Sequence, residues 1–220
     1  MLNDPSAAAR MADLPVDLDQ LARLTVIDEP VHLTVIDGGR DGNRARAETA
    51  VADLLTALGR DTMADGLRET PRRVVDSLLE LLTPQEFAAT TFPNTEGYGD
   101  LVLVKQIPFH SLCEHHLLPF RGVATIGYLP GERLLGLSKI ARVLEYFSRD
   151  LQVQERLTRQ VADWFTRELQ PRGVGVVLEA EHLCMSLRGV QSTGSTTVTS
   201  TFSGELEHAS PFRAQFGLDG

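Results

Sequence analysis

Between Ala47 and Leu58 apolar side chains recur at Ala50, Val51, Leu54, Leu55 and Leu58, the spacing of one helix face, and Gly59 supplies a stop. A second helix is predicted from Thr70-Pro71, with Thr70 as N-cap and Pro71 as the first helical residue, carrying Val74, Val75, Leu78, Leu79 and Leu82 to a Thr-Pro stop. Alternation then replaces the helical period. Leu101–Phe109 and Phe120–Leu129 read as strands, Cys113–Leu118 as the connection between them, and Pro130–Arg133 as a turn. The helical period returns over Leu137–Phe147, with Ser138 as the expected cap and Ile140, Val143, Leu144 and Phe147 on one face. It returns again over Val153–Leu169, through Val153, Leu157, Val161, Trp164 and Phe165, until Pro171-Arg172-Gly173 ends it. Strands are predicted at Val174–Ala180 and His182–Leu187, and after a Gly189–Ser195 turn at Thr196–Phe202.

Residues 1–44 have a different texture. They are rich in Asp, Ala and Pro and carry the pentapeptide Leu-Thr-Val-Ile-Asp twice, at Leu24–Asp28 and Leu33–Asp37. They read as a flexible N-terminal extension with a short hairpin, followed by a helical segment over 45–98 and a strand-bearing domain over 99–220. The opening stretch lacks the charged-then-apolar order of a secretion signal, and no apolar run approaches the roughly 20 residues that span a bilayer, so a cytoplasmic protein is expected.

Charge sharpens this picture. The net charge of −9 argues against nucleic acid or an anionic membrane as partner. Its distribution is uneven: Leu101–Val190 holds 11 Lys+Arg and 9 Asp+Glu, a balance of +2 against −11 for the rest. That relatively basic segment suits a small anionic substrate.

The candidate chemistry lies inside that segment. Cys113-Glu114-His115-His116 packs metal-capable and proton-transferring side chains into four residues, and Cys113 and His116 have the C-x-x-H separation that lets one turn reach a single Zn²⁺. The chain's 2 cysteines both fall in histidine-bearing motifs, the second in His182-Leu183-Cys184, which favours thiolate ligands over a disulfide in a reducing compartment. On a strand, His182 and Cys184 would point to one face, so that Cys184 joins Cys113 and His116 while His182 stays beside them. The competing assignment is a closed structural site using Cys113, His116, His182 and Cys184. His115 has no place in such a cage, and a zinc with three protein ligands keeps a position for water, lowering its pKa to about 7. Ser138, Lys139 and Arg142 at a helix start make a candidate anion site, against the plainer reading of an exposed basic face. Arg72 and Arg73 sit in another first turn, where the helix dipole disfavours cations; a solvated pair is the plainer reading there.

The ordered runs Ser-Leu-Cys-Glu-His-His, Gly-Tyr-Leu-Pro, Gly-Leu-Ser-Lys-Ile-Ala-Arg, Leu-Gln-Val-Gln-Glu-Arg-Leu-Thr and His-Leu-Cys-Met-Ser-Leu-Arg-Gly-Val resemble GTP cyclohydrolase I. With Glu-Thr-Pro-Arg-Arg-Val upstream and Thr-Val-Thr-Ser-Thr-Phe-Ser-Gly downstream, the resemblance covers about Ala47 to Phe216. It implies an α+β tunnelling fold, an antiparallel sheet with a pair of helices on one face, assembled into a toroidal homodecamer with sites at subunit interfaces. It implies hydrolytic opening of the guanine imidazole ring of GTP, loss of C8 as formate and reclosure to 7,8-dihydroneopterin triphosphate, the first step toward folate or a related pterin. Carried over by residue, Cys113, His116 and Cys184 would bind one Zn²⁺ per subunit, and His115 and His182 would be the acid/base pair. Glu155, with Gln154 beside it, would hold the guanine edge, and Ser138, Lys139, Arg142, Arg188 and Arg73 would hold the triphosphate. Asp76 stands where some members carry a basic residue, and His110 replaces a more usual aromatic or hydroxyl residue. Two further readings stand beside this one: a paralogue of the same fold converting GTP for deazapurine or specialised pterin synthesis, and a non-catalytic zinc or nucleotide-binding protein.

Overall fold

The computed structural model describes residues 40–208 and 211–217, with side chains from Asn43 onward. The expected extension and its pentapeptide hairpin therefore lie outside the described residues as far as residue 39. Ala45–Gly220 forms one compact unit.

Helix α1 (Arg40–Ala57) starts upstream of the apolar repeat that predicts it. The added turns carry Arg and Ala, which favour helix without leaving an apolar period to read. Helix α2 (Thr70–Leu82) has the predicted ends, but its N-cap is Glu69 and no side chain caps it. Arg72 ties the first turn together instead, its Nε donating to Glu69 Oε2 at 3.0 Å and its Nη1 to Asp76 Oδ2 at 2.8 Å.

The main sheet has five strands in the order β5-β2-β3-β6-β7: β2 (Val102–Cys113), β3 (Pro119–Leu129), β5 (Leu151–Gln152), β6 (Gly173–His182) and β7 (Thr197–Gly204). Its pairs are antiparallel except for the short parallel contact of β5 with the end of β2. A separate two-stranded sheet pairs β1 (Thr91–Pro93) with β4 (Arg133–Leu135). Helices α3 (Leu137–Ser148) and α4 (Gln154–Glu168) pack on one face of the main sheet. Ile140, Val143, Leu144, Leu157, Val161 and Phe165 are each fully buried there, in one cluster with Phe120, Ala124, Ile126, Val176 and Leu178. This is the α+β arrangement expected, an antiparallel sheet carrying its helix pair on one side.

Two local readings are corrected. Ser138 does not cap α3; the cap is Gly136, whose amide donates to Thr90 O at 3.0 Å, while the preceding Leu135 amide donates to the buried Tyr128 Oη at 2.9 Å. The predicted strands Val174–Ala180 and His182–Leu187 are one strand, β6, followed by a single helical turn, α5 (Leu183–Ser186). The reason is register. His182 pairs with Phe120 next to the first residue of β3, so the chain beyond His182 has no neighbour to pair with and coils into the Leu187 N to Leu183 O bond of 3.1 Å.

The other sheet face is covered by the C-terminal 3₁₀ turn Arg213–Phe216. Phe216 lies over Gly127 and Gly175, and a Cβ on Gly175 would come within 2.5 Å of the Phe216 ring, so the glycines form the floor of its seat. Phe202 meets the ring edge-on at 5.1 Å between centroids. Phe216→Ala is expected to cost about 3–5 kcal/mol of unfolding free energy, measured as a shifted denaturant midpoint at constant slope.

Candidate metal centre and active site

The metal-capable turn is built by the β2–β3 hairpin. Cys113 is the last residue of β2, its amide donating to Leu118 O at 2.9 Å, and its own carbonyl accepts from His116 N at 3.3 Å and Leu117 N at 2.9 Å. The turn closes on itself around the Cys113 backbone and sends the His115 and His116 side chains outward. From the other side, β6 ends opposite the start of β3 and α5 carries Cys184 to the same place. One donor atom from each of Cys113, His116 and Cys184 lies within 4.8 Å of the other two, and these three residues are the metal-capable group among those described. Tetrahedral zinc with bonds near 2.0–2.3 Å holds its ligands about 3.3–3.8 Å apart, so a small contraction closes the set.

The donor chemistry agrees. Burial and the neighbouring Cys113 sulfur push the Cys184 thiol up, with Arg188 opposing weakly. Two sulfurs held together resist becoming two thiolates unless a cation sits between them. Cys113 and Cys184 are buried and His116 is exposed.

His182 lies outside this group of three. Cys184 reaches the group from a helical turn, not from the strand alternation expected. The His182 ring lies flat on Phe120, 4.7 Å between centroids with 2° between planes, and its Nε2 is 2.8 Å from Gln154 Oε1. Burial lowers its pKa below the ordinary histidine value, and the nearby Glu155 charge acts in the opposite sense. Glu155 itself is exposed in the first turn of α4. Gln154 is 1% exposed, with both amide hydrogens given to main-chain carbonyls and its Oε1 against the His182 ring.

His115 is 63% exposed, with Nδ1 3.7 Å from Cys113 Sγ and Nε2 3.7 Å from Glu114 Oε1. Glu114, to which the sequence assigns no chemistry, bonds Arg156 of α4. Arg156 Nη2 also donates to Leu151 O at 2.8 Å and its Nε to Gln152 Oε1 at 3.0 Å, while the Glu114 amide donates to Gln152 O at 3.1 Å. The metal turn is thereby clasped to β5 and to the start of α4. No sequence signal marks Arg156 as Glu114's partner, since 42 residues separate them and Arg156 has the ordinary look of a helix-surface cation.

The residues expected to hold a triphosphate do not gather at this end. Arg188 stays close, its Nη1 reaching Cys184 O at 3.5 Å. Ser138 and Lys139 open α3 at the end marked by the Tyr128–Leu135 bond, whereas the metal group sits where Leu112 pairs with Pro119. The helix alone spans about 18 Å between those ends, with Arg142 part of the way along it. Arg73 is exposed in the first turn of α2. A cavity of about 800 Å³ opens between β2 and α3, lined among others by His110, Arg121, Glu145, Arg149 and Glu181; none of the three metal-capable residues borders it.

Because the clasp holds the turn and no ligand itself, Arg156→Ala is expected to leave the fold intact and weaken zinc binding by about 10-fold, read by titration against a chromophoric chelator.

Comparison with known proteins agrees with the site. The profile of the GTP cyclohydrolase I family matches residues 47–218. A GTP cyclohydrolase 1 of Brucella anthropi is 51% identical over 169 residues, covering 74% of this chain and 79% of the relative. That of Allorhizobium ampelinum is 49% identical over 179 residues, covering 79% of this chain and 89% of the relative. A profile that spans every residue of the site described above, together with relatives of this extent and identity, shows that the chain belongs to the GTP cyclohydrolase I family.

Proposed function

We propose that this chain hydrolyses GTP at C8 of the guanine base, releasing formate and forming 7,8-dihydroneopterin triphosphate. The observation that carries the reading is the convergence of Cys113, His116 and Cys184 from two separate chain segments, with His182 and Glu155 beside them and His115 on the same turn.

Cys113, His116 and Cys184 would hold one Zn²⁺, which when bound supplies a Lewis acid and a water of lowered pKa. A Cys₂His set also accepts Fe²⁺, and the chain itself does not choose between them. His182, kept neutral by burial, is ready to accept a proton at neutral pH, while His115 stands exposed on the metal-capable turn. The two differ in environment, which suits opposite proton-transfer roles around one ring. Glu155, exposed at a helix start, offers carboxylate oxygens that accept from the guanine N1–H and amino group; adenine lacks the N1–H, so its edge leaves the carboxylate unpaired. Arg188 lies near enough to serve the same substrate, and Ser138, Lys139, Arg142 and Arg73 complete the triphosphate contacts.

Since Ser138 and Lys139 open the far end of α3, the substrate site is completed between copies, in line with the ring-shaped homodecamer expected of the family. A chain lacking Cys184 and a chain lacking Lys139 should therefore restore part of each other's activity when refolded together. Two inactive variants that stay inactive as a mixture would place all these residues in one chain's site.

Incubation of the zinc-loaded protein with GTP is expected to yield formate and, after oxidation, fluorescent neopterin in equal amounts; no formate would overturn the reading. Stripping the metal should abolish turnover and re-addition restore it. Cys184→Ala is expected to lose zinc, whereas His115→Ala keeps zinc and loses about 10²–10⁴-fold in kcat. Loss of metal in His115→Ala would mean that the ligand set is wrong.

A further inference from the structure

Gln154 occupies the first position of α4, and its side chain turns back under the sheet. Its Nε2 donates both hydrogens to main-chain carbonyls, Leu178 O on β6 at 3.0 Å and Thr197 O at the start of β7 at 2.9 Å. An amide flipped end for end would point its oxygen at two carbonyl oxygens, so this orientation is fixed by the network. Oε1 is therefore an acceptor with no hydrogen to give. The only way it can bond the His182 ring nitrogen 2.8 Å away is for that nitrogen, Nε2, to carry the hydrogen.

The rest of the ring's freedom is removed by the sheet. Phe120, the cross-strand partner of His182, stacks against it and fixes the ring plane. A half-turn of the ring within that plane would replace Nε2–H by a carbon at Gln154 and lose the bond. Leu178 and His182 lie on the same face of β6, so the histidine is held against its own strand through the amide.

We infer that Gln154 is a positioning residue that fixes the tautomer and ring orientation of His182, with the hydrogen on Nε2 and none on Nδ1. The inference rests on the reading of His182 as part of the proposed site and deepens it, naming the group that orients the ring. It also reassigns Gln154: its amide hydrogens are spent inside the protein, and a base edge would find only the second lone pair of a side chain that is 1% exposed. A ring with one nitrogen held by a fixed acceptor and its plane held by a stacked phenyl keeps a single orientation, in the way that partner groups orient histidines elsewhere.

The zinc-loaded wild-type protein, labelled with [¹⁵N]histidine, tests this directly. The long-range ¹H–¹⁵N spectrum of His182, assigned by its loss in His182→Gln, is expected at neutral pH to show a protonated Nε2 and a well-separated, unprotonated Nδ1. A protonated Nδ1, or two merged nitrogen signals, would overturn the inference. In Gln154→Leu the two signals should draw together, and kcat should fall about 10- to 100-fold while zinc content and the KM for GTP hold. A raised KM at unchanged kcat would instead assign Gln154 to the substrate and sink the proposal. Should Gln154→Leu fail to fold for want of the two carbonyl bonds, the wild-type spectrum decides alone. The spectra require no turnover, so a chain that released no formate from GTP would fail the functional reading and leave this one standing on its own result.

Discussion

The common level at which three strands end is the constraint from which the site follows. Leu112 of β2 pairs with Pro119 of β3, Phe120 of β3 with His182 of β6, and Cys113 with Gln152 of β5. Each strand stops there for want of a partner, and each stop releases a different functional segment. The β2–β3 stop makes the turn with His115 and His116, the β6 stop makes the helical turn with Cys184, and the β5 stop begins α4 with Gln154 and Glu155. A slip of two residues in the β3–β6 register would keep every side chain on its own face and still carry Cys184 about 7 Å from the turn. The donors meet in the observed register, in which Phe120, Ala124, Ile126, Val176 and Leu178 pack into one buried cluster.

What the strands bring together is secured by polar groups that are unusual for a core. Gln152 and Gln154 are 2% and 1% exposed, and a buried amide with an unmet donor costs about 1–3 kcal/mol. Both are fully engaged. Gln152 donates to Phe147 O and to Gln160 Oε1 and accepts from Arg156; Gln154 bridges β6, β7 and His182. The two glutamines divide the work by neighbour: one supports the metal-capable turn through Arg156 and Glu114, the other supports His182. Fully satisfied networks of this kind rigidify and hold one geometry, as a site whose donors come from distant segments requires.

Most of the fold was legible because its elements keep clean periods. Ile140, Val143 and Leu144, and Leu157, Val161 and Phe165, are buried where the helical spacing put them, and β3 is found within a residue of its prediction. The errors fall where a partner, not a period, decides. Leu183–Ser186 reads as strand because Leu183, Met185 and Leu187 alternate, yet the sheet offers it no neighbour. Ser138 and Thr70 have capping chemistry, yet the backbone bonds of Gly136 and the side chain of Arg72 secure those helix starts. The metal-capable cysteines and histidines were legible as residue types at ligand spacing. Arg156 and the inward turn of Gln154 were not, since each depends on a contact across tens of residues of sequence and on side-chain shapes common to any helix surface.

Two ends of the described chain stand open to solvent. At one, the helices that precede the sheet leave apolar side chains in the open: Leu54 is 57% exposed and Leu58 65% on or just past α1, Leu79 is 50% exposed on α2, and Val75 is the one buried residue of α2. At the other, Glu155, His115 and Arg188 surround the metal group on one side only, while Ser138 and Lys139 stand at the opposite end of α3. In the proposed assembly a second copy of the chain would cover these apolar faces and would bring the basic start of one α3 to the metal-capable group of another. A cyclohydrolase built this way would gain its catalytic site and the burial of its N-terminal helices in one step, so that assembly and activity would rise together as chain concentration increases.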